Sequence, residues 1–297
     1  MNSRQIKELF FKFICYLAGA STVLILFIIL SQIFMRGLPS LSLYFLTTPE
    51  SVAKGLGGGI GNAVAGTILL SLVSTILATP LAVGTAVYLK RYAKQGKLVK
   101  TLTFMIDVLS GTPSIVLGIF ALMFIVIQMR YITGGYSLIA GSIALAILIL
   151  PVIERSTEEA INTVPREIEE ASYALGANKW DTTRLITIPY ATTGIITGVV
   201  LGIGRAAEES AVVILSAGYS QFMPELKILP DEKYIFGLKI FPLQHPVGSL
   251  PLTIYKSFHS PHLIPVSEGF AAAFVIIVIV FLINLTAKLI LWRRRIG

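Results

Sequence analysis

Apolar residues run through this chain in blocks rather than in stripes. Stretches of about 20 residues, the length a helix needs to cross roughly 30 Å of hydrocarbon, recur from one end to the other. Strand-length alternation is nowhere sustained, and a helix satisfies its own N–H and C=O groups in lipid, so the blocks predict helices. Their limits predict spans over Phe13–Met35, Ala63–Leu89, Leu102–Met129, Tyr136–Ile153, Thr193–Ala217 and Gly269–Leu291, about six in all. The expected fold class is all-α, a polytopic membrane helical bundle forming a single domain over residues 1–297. The first block is too long for the core of a signal peptide, and no small-residue cleavage site follows it before Arg36, so it is expected to stay attached.

Composition agrees: 55% of residues are hydrophobic and 13% charged, with a mean hydropathy of +0.80, which describes a chain whose solvent is largely lipid. Charge adds the orientation. Arg4, Lys7 and Lys12 precede the first span, Lys90, Arg91, Lys94, Lys97 and Lys100 follow the second, Arg155, Arg166, Lys179 and Arg184 follow the fourth, and Lys288 with Arg293 to Arg295 close the chain. The opposite side holds Arg36, Lys54, Arg130, Lys227, Lys233, Lys239 and Lys256, diluted by Glu225, Asp231 and Glu232. Basic residues in short loops favour the cytoplasm, so both termini are expected there, in a multi-pass protein of the cytoplasmic membrane. The net charge of +8 is explained by this orientation. No basic face interleaved with aromatics points to nucleic acid.

Catalytic and metal signatures are few. Cys15 is the single cysteine and sits inside the first span, where it reads as packing. His259 and His262 stand three apart in a Pro-rich external segment without further ligands, so no metal is expected. The sequence contains no G-x-x-x-x-G-K-[ST], H-E-x-x-H or G-x-S-x-G. Energy for any driven step would therefore have to come from elsewhere.

The most informative polar stretch runs from Thr163 to Ala191. Pro165 suits a first helical turn, Arg166 to Leu175 are good helix formers, and Gly176 is the expected stop because it tolerates a left-handed cap. Asn178 can cap a second short helix with Asp181 in its first turn, where the helix dipole favours a negative charge. A helix, a glycine elbow and a helix result. Glu167 and Glu169 read individually as the solvated face of the first helix.

Glu170, Ala171, Ser172, then Gly176, nine residues, Ile186, Ile188 and Pro189 resemble the EAA loop of ABC importer permeases, in which this loop docks into a groove on a separate ATPase. Ser172 replaces the family's second alanine of the pair and Ile188 its leucine, both mild departures. Three further stretches, Gly57–Ala93, Asp107–Leu122 and Gly202–Gly218, are similar to phosphate-transport permeases of the Pst type. Ser249–Tyr255 and the last span with Asn284 look more like the A-type permease than its C-type partner, while Arg91, Glu208 and Val212 depart from the family pattern. The resemblance implies a type I permease fold that moves inorganic phosphate and works with a homologous permease as a heterodimer. It also implies two ATPase subunits carrying ATP and magnesium, and an external phosphate-binding protein docking on residues 218–267. This chain is expected to bind no cofactor itself. A permease for phosphonate, sulfate or molybdate, or a non-transporting membrane scaffold, remains the alternative.

Two constellations are candidates for the substrate pathway. Ionisable groups in a bilayer are expensive and usually face a polar interior. Arg205, Glu208 and Glu209 lie in the fifth predicted span at spacings of three and four, which on a continuous helix puts both carboxylates on the arginine's face. A guanidinium fork suits a tetrahedral oxyanion, and a carboxylate beside it keeps the anion from binding too tightly to leave. The competing reading is a buried ion pair that fixes packing. In the third span, Ser110-Gly-Thr-Pro-Ser114 predicts a helix break near mid-bilayer, with Thr112 as N-cap of a new half-helix and Pro113 in its first turn. Thr112 and Ser114 would then line the passage, and a proline kink serving packing is the plain alternative. Asp107, one turn earlier, is either a pathway or a packing residue.

Overall fold

A computed structural model of the chain describes residues 3–53, 58–94, 96–231 and 238–295. Gly57, Lys54, Glu232 and Lys233, which entered the sequence reading, lie outside the described residues. The long apolar elements are α1 (Ser3–Gly37), α4 (Gly61–Val87), α8 (Leu138–Asn162), α11 (Ile188–Glu208) and α14 (Val266–Arg295). Shorter helices are α2 (Leu43–Thr47), α3 (Glu50–Ala53), α5 (Lys97–Gly111), α6 (Ser114–Ala121), α7 (Arg130–Thr133), α9 (Arg166–Ala174), α10 (Lys179–Thr182), α12 (Ala211–Ser216) and α13 (Leu250–His259). An antiparallel hairpin of β1 (Lys227–Pro230) and β2 (Leu238–Phe241) pairs Ile228 with Ile240.

Three π turns lengthen the rods: Tyr88–Tyr92 after α4, Leu122–Gln128 after α6, and Thr183–Thr187 between α10 and α11. The last one fuses α10 and α11 into a 30-residue stretch, Lys179–Glu208. The second helix of the predicted helix–elbow–helix is thus not separate but the cytoplasmic end of the fifth span. Its wider turn precedes Pro189, which lacks an N–H and would clash in a straight α-helix.

Among the described residues, five helices are long and apolar enough to cross a membrane, and Lys97–Gly111 with Ser114–Gln128, bent by 103°, can make a sixth span. The break falls at Ser110–Ser114, where the sequence reading expected it in the third span. Thr112 and Pro113 are both extended, with ψ of 128° and 135°, so the chain turns a corner where Gly111 lets α5 end. Packing decides that this corner still carries the chain across. At one end of the bundle, Arg91 after α4 donates through Nη2 to Ile161 O near the end of α8 at 3.0 Å. At the other, Leu250 N donates to Thr67 Oγ1 early in α4 at 2.9 Å, and Leu138 N at the start of α8 donates to His245 O at 2.9 Å. Helices α4 and α8 therefore run parallel, and α5 with α6 must return the chain between them. Six crossings put both termini on one side, the side rich in Lys and Arg.

The main core lies between α4, α6, α8 and α12, where Leu70, Leu145, Ile149, Ile153 and Val212 are each 2% exposed or less. Helix α11 lies close on α8 through glycines one turn apart. A Cβ on Gly198 would stand 2.5 Å from Ser156 Cβ, and one on Gly202 would stand 2.9 Å from Ile153 Cδ1. Small residues at such spacing let backbones approach within lipid, where dispersion rather than hydrophobicity drives association. Gly198→Leu should force these helices apart at a cost of roughly 1–3 kcal/mol. The thermal midpoint and membrane abundance of the variant should both fall, Gly198→Ala less so, and an unchanged midpoint would contradict the close approach.

Part of residues 218–267, read from sequence as an external loop, is built into the bundle, while 225–230 stay exposed. Ser249 is the N-cap of α13, Pro251 occupies its first turn, and Leu250 and Leu252 are 0% and 1% exposed.

Candidate functional site

The fifth span is broken, which the sequence reading did not anticipate. Helix α11 stops at Glu208, Glu209 is extended with ψ of 125°, and α12 restarts at Ala211. The cause is the Glu209 side chain. Its Oε1 accepts from Ala211 N at 3.1 Å and Val212 N at 3.5 Å, capping the new helix in competition with the backbone ladder. Its Oε2 lies 3.1 Å from Arg205 Nη2. Glu209 is thus buried, with a side chain 4% exposed, while Arg205 keeps 49% of its side chain open. Glu208 is exposed and has no hydrogen-bond or ion-pair partner among the described residues, so the structure joins Arg205 to Glu209 and leaves Glu208 out.

The start of α12 rests on α6. A Cβ on Gly118, one turn beyond Ser114, would meet Ala211 O at 3.0 Å and Val212 Cα at 3.3 Å. Two broken spans therefore touch next to their breaks. The N-cap of α6 is Pro113, not Thr112 as expected. Thr112 instead donates its hydroxyl to Val108 O at 2.7 Å, closing the end of α5, and so is not free to cap forward. Ser114 is half-buried in the first turn of α6. Asp107 is drawn elsewhere: it pairs with Arg155, which also holds Glu158 at 2.7 Å, so it ties α5 to α8 rather than joining Arg205.

At the cytoplasmic elbow, Gly176 has φ of +87°, the left-handed conformation that Gly adopts without strain. Asn178 Oδ1 accepts from Asp181 N at 2.9 Å, as its position predicts. Glu170, Ala171 and Pro189 are exposed and Ile186 is half-buried. Around them Leu175 is 90%, Leu185 65% and Trp180 60% exposed, a concentration of open apolar surface next to a sharp turn. Ser172 Oγ lies 3.0 Å from Thr182 Oγ1 and joins the two arms.

Glu169 corrects the reading of a solvated face. It binds Arg91 Nε at 2.8 Å and accepts from Thr187 Oγ1 at 2.6 Å, which fixes α9 to the exit of α4 and to the π turn below α11. No spacing rule could reveal a partner 78 residues away. Glu50, which the sequence reading also passed over, is 1% exposed and accepts from Tyr219 in a cluster above the external ends of the spans. Burial pushes its carboxyl above the usual range, against that hydrogen bond. The Lys256 ammonium stands 2.9 Å above the Tyr219 ring and is pushed down by burial.

Residues 78–295, which contain both breaks and the elbow, match the family described as the binding-protein-dependent transport system inner membrane component. The chain belongs to that family. Over 200 residues it is 39% identical to the phosphate transport system permease protein PstA of Mycobacterium leprae, a match spanning 67% of this chain and 60% of that protein. Over 279 residues it is 34% identical to the probable ABC transporter permease protein YqgI of Bacillus subtilis, spanning 92% of this chain and 90% of that protein. The match to PstA thus covers less than two thirds of that relative's length. Among solved structures, an inward-facing MetNI methionine ABC transporter chain superposes with a TM-score of 0.57 at 19% identity, over 78% of this chain and 94% of that one. That likeness establishes the type I importer fold. This inner-membrane component is a multi-pass protein of the cytoplasmic membrane.

Proposed function

We propose that the chain is the permease subunit of an ATP-driven phosphate importer, with the anion passing the paired breaks of α5/α6 and α11/α12. The observation that carries the reading is the Arg205–Glu209 pair: a half-open guanidinium held at 3.1 Å by a buried carboxylate that also caps a half-helix. The carboxylate keeps the fork in place between anions, and an arriving oxyanion takes the open donors in the geometry that suits a guanidinium. The names of the PstA relatives favour phosphate over other oxyanions.

The exposed elbow with Leu175 and Trp180 is the surface that fits a separate ATPase, and Glu169 with Arg91 is the strut that would pass its movement to α4 and α11. Two ATPase subunits would carry the ATP and magnesium. Helix α1 suits a second, homologous permease. Most of its apolar side chains are exposed within this chain, Leu17, Val23, Phe27 and Met35 among them, and it meets α14 at Gly37, where a Cβ would stand 2.6 Å from Phe270 O. Residues 218–267 offer the external face to a phosphate-binding protein. Reconstituted with its ATPase and binding protein, the permease should take up labelled phosphate in competition with unlabelled phosphate and not with sulfate or molybdate. Equal competition by sulfate would overturn the cargo.

A further inference from the structure

Helix α12 is a rod of six residues, about 9 Å long, too short to hold its own place. Its inner end follows the break at Glu209, and its outer end is gripped by a distant part of the chain. Ser137 N, at the start of α8, donates to Ser216 O at 3.3 Å, and Gly218 then turns the chain with φ of +74°. Residues 219–221, which come next, are each bonded to α3 or to the first turn of α4. Tyr219 donates its hydroxyl to Glu50 Oε2, Asn62 Nδ2 donates to Ser220 O at 2.7 Å, and Ser51 N donates to Gln221 O at 3.2 Å.

The holder is itself fixed. Glu50 N donates to Asn62 Oδ1 at 3.3 Å and Gly61 N to Thr48 O at 3.0 Å, so α3 is tied to the entry of α4. Glycines bring the backbones together: a Cβ on Gly61 would stand 2.5 Å from Thr47 O, and one on Gly248 would stand 2.9 Å from both Asn62 Nδ2 and Ser220 O. Glu50 and Asn62 are 1% and 0% exposed, so water does not compete for these bonds, and breaking one leaves a buried polar group unpaired. A shift of residues 219–221 is passed through one short rod to Ala211 N and Val212 N, the groups that donate to Glu209 Oε1. Core packing at Val212 and Val213 is the competing anchor.

We propose that Glu50, together with Tyr219 and Asn62, is an external clasp that positions the helix break at Glu209. This rests on the reading that the anion passes Arg205: Glu50 touches no anion and acts through α12 on the carboxylate that holds the guanidinium. The clasp titrates. Burial is the largest influence on the Glu50 carboxyl and pushes it above the usual range, with Glu268 pushing the same way, while Tyr219, Lys256 and Asn62 pull it down. Lys256 is itself pushed down by burial, and the Tyr219 hydroxyl is raised and so stays a donor. A raised carboxyl favours the clasp with its proton bound, so the grip is full below the ordinary carboxylate range and loosens as external pH rises through the raised value.

The test places a cysteine at Ser210, the exposed residue of the break, in the assembled importer carrying Cys15→Ser, and a control cysteine at Leu226, which is 91% exposed on the external side. Modification by a water-soluble thiol reagent is read as the ratio of the rates for Ser210→Cys and Leu226→Cys, which removes the pH dependence of the thiol itself. Tyr219→Phe and Glu50→Ala should each raise the ratio by about threefold to tenfold, the range one buried hydrogen bond supports, and the two together no more than either alone. Glu50→Gln keeps an oxygen for Tyr219, so it should hold the parental ratio in acid and abolish the rise that the parent shows as pH is raised. A bond that serves stability alone would lower the thermal midpoint and leave the ratio and its pH profile unchanged. If Glu50→Ala assembles poorly, the comparison is read from Tyr219→Phe, which removes a single oxygen. Either a parental ratio in Tyr219→Phe or a pH profile that Glu50→Gln leaves intact overturns the proposal. Phosphate uptake is measured alongside: a raised ratio with parental uptake keeps the clasp and overturns instead the passage at Arg205.

Discussion

Gly176→Val should uncouple the importer: binding-protein-stimulated ATPase activity and uptake should both fall by about tenfold or more, each factor of ten being ~1.4 kcal/mol. The position has φ of +87°, and nothing stands within 4 Å of a Cβ placed there. The penalty is therefore purely of backbone, about 1–2 kcal/mol for an L residue held left-handed and greater for a β-branched one. Valine escapes that penalty by leaving the left-handed region. Doing so breaks the bonds from Gly176 N to Tyr173 O (2.9 Å) and from Ala177 N to Ser172 O (3.2 Å) that close α9. The arms then no longer present Glu170, Leu175 and Trp180 as one surface. Asparagine tolerates the same conformation, so Gly176→Asn should keep most activity and Gly176→Ala fall between. Because the elbow is exposed, membrane abundance should stay parental in all three variants. Parental stimulation and uptake by Gly176→Val would show that this elbow does not carry coupling.

Hydropathy located the spans well where one apolar block equals one helix. The predicted first, second and sixth spans fall within α1, α4 with its π turn and α14, and the fourth overlaps α8 but starts two residues before it. Polar chemistry, which acts at a distance or through a single side chain, was harder to read. Gly111 and Pro113 announced a break, yet neither fixes its angle of 103° or shows that α6 would pack on α12 at Gly118. The break after Glu208 had no Gly or Pro to mark it. An apolar run continues through Ala211–Ser216, and only the Glu209 carboxylate reaching the N–H groups ahead of it ends the helix. Gly176 and Asn178 were legible because their roles are local, a left-handed φ and a cap three residues long. Glu169 and Asp107 were not, since Arg91 and Arg155 lie on other helices.

Arg205→Lys should also lower uptake by about tenfold or more without loss of assembled complex. The guanidinium presents parallel donors, so it can hold Glu209 Oε2 and still offer N–H groups to an anion, whereas an ammonium is a compact point charge. Half of the arginine side chain is open and the carboxylate is not, so the cation is the partner that can change ligands. Glu209→Gln keeps an oxygen to cap α12 and should assemble, while Glu209→Ala removes the cap and should lower abundance.

A pair that serves packing alone behaves differently, because neutralising both members of a buried ion pair together relieves what either single change leaves uncompensated. The decisive measurement is therefore labelled phosphate uptake, normalised to assembled complex, by Arg205→Met, Glu209→Gln and the two combined. If the anion passes Arg205, the double variant should import no faster than Arg205→Met, below about a tenth of the parental rate. A double variant that assembles and imports phosphate at the parental rate would contradict this and make Arg205 a structural partner of Glu209.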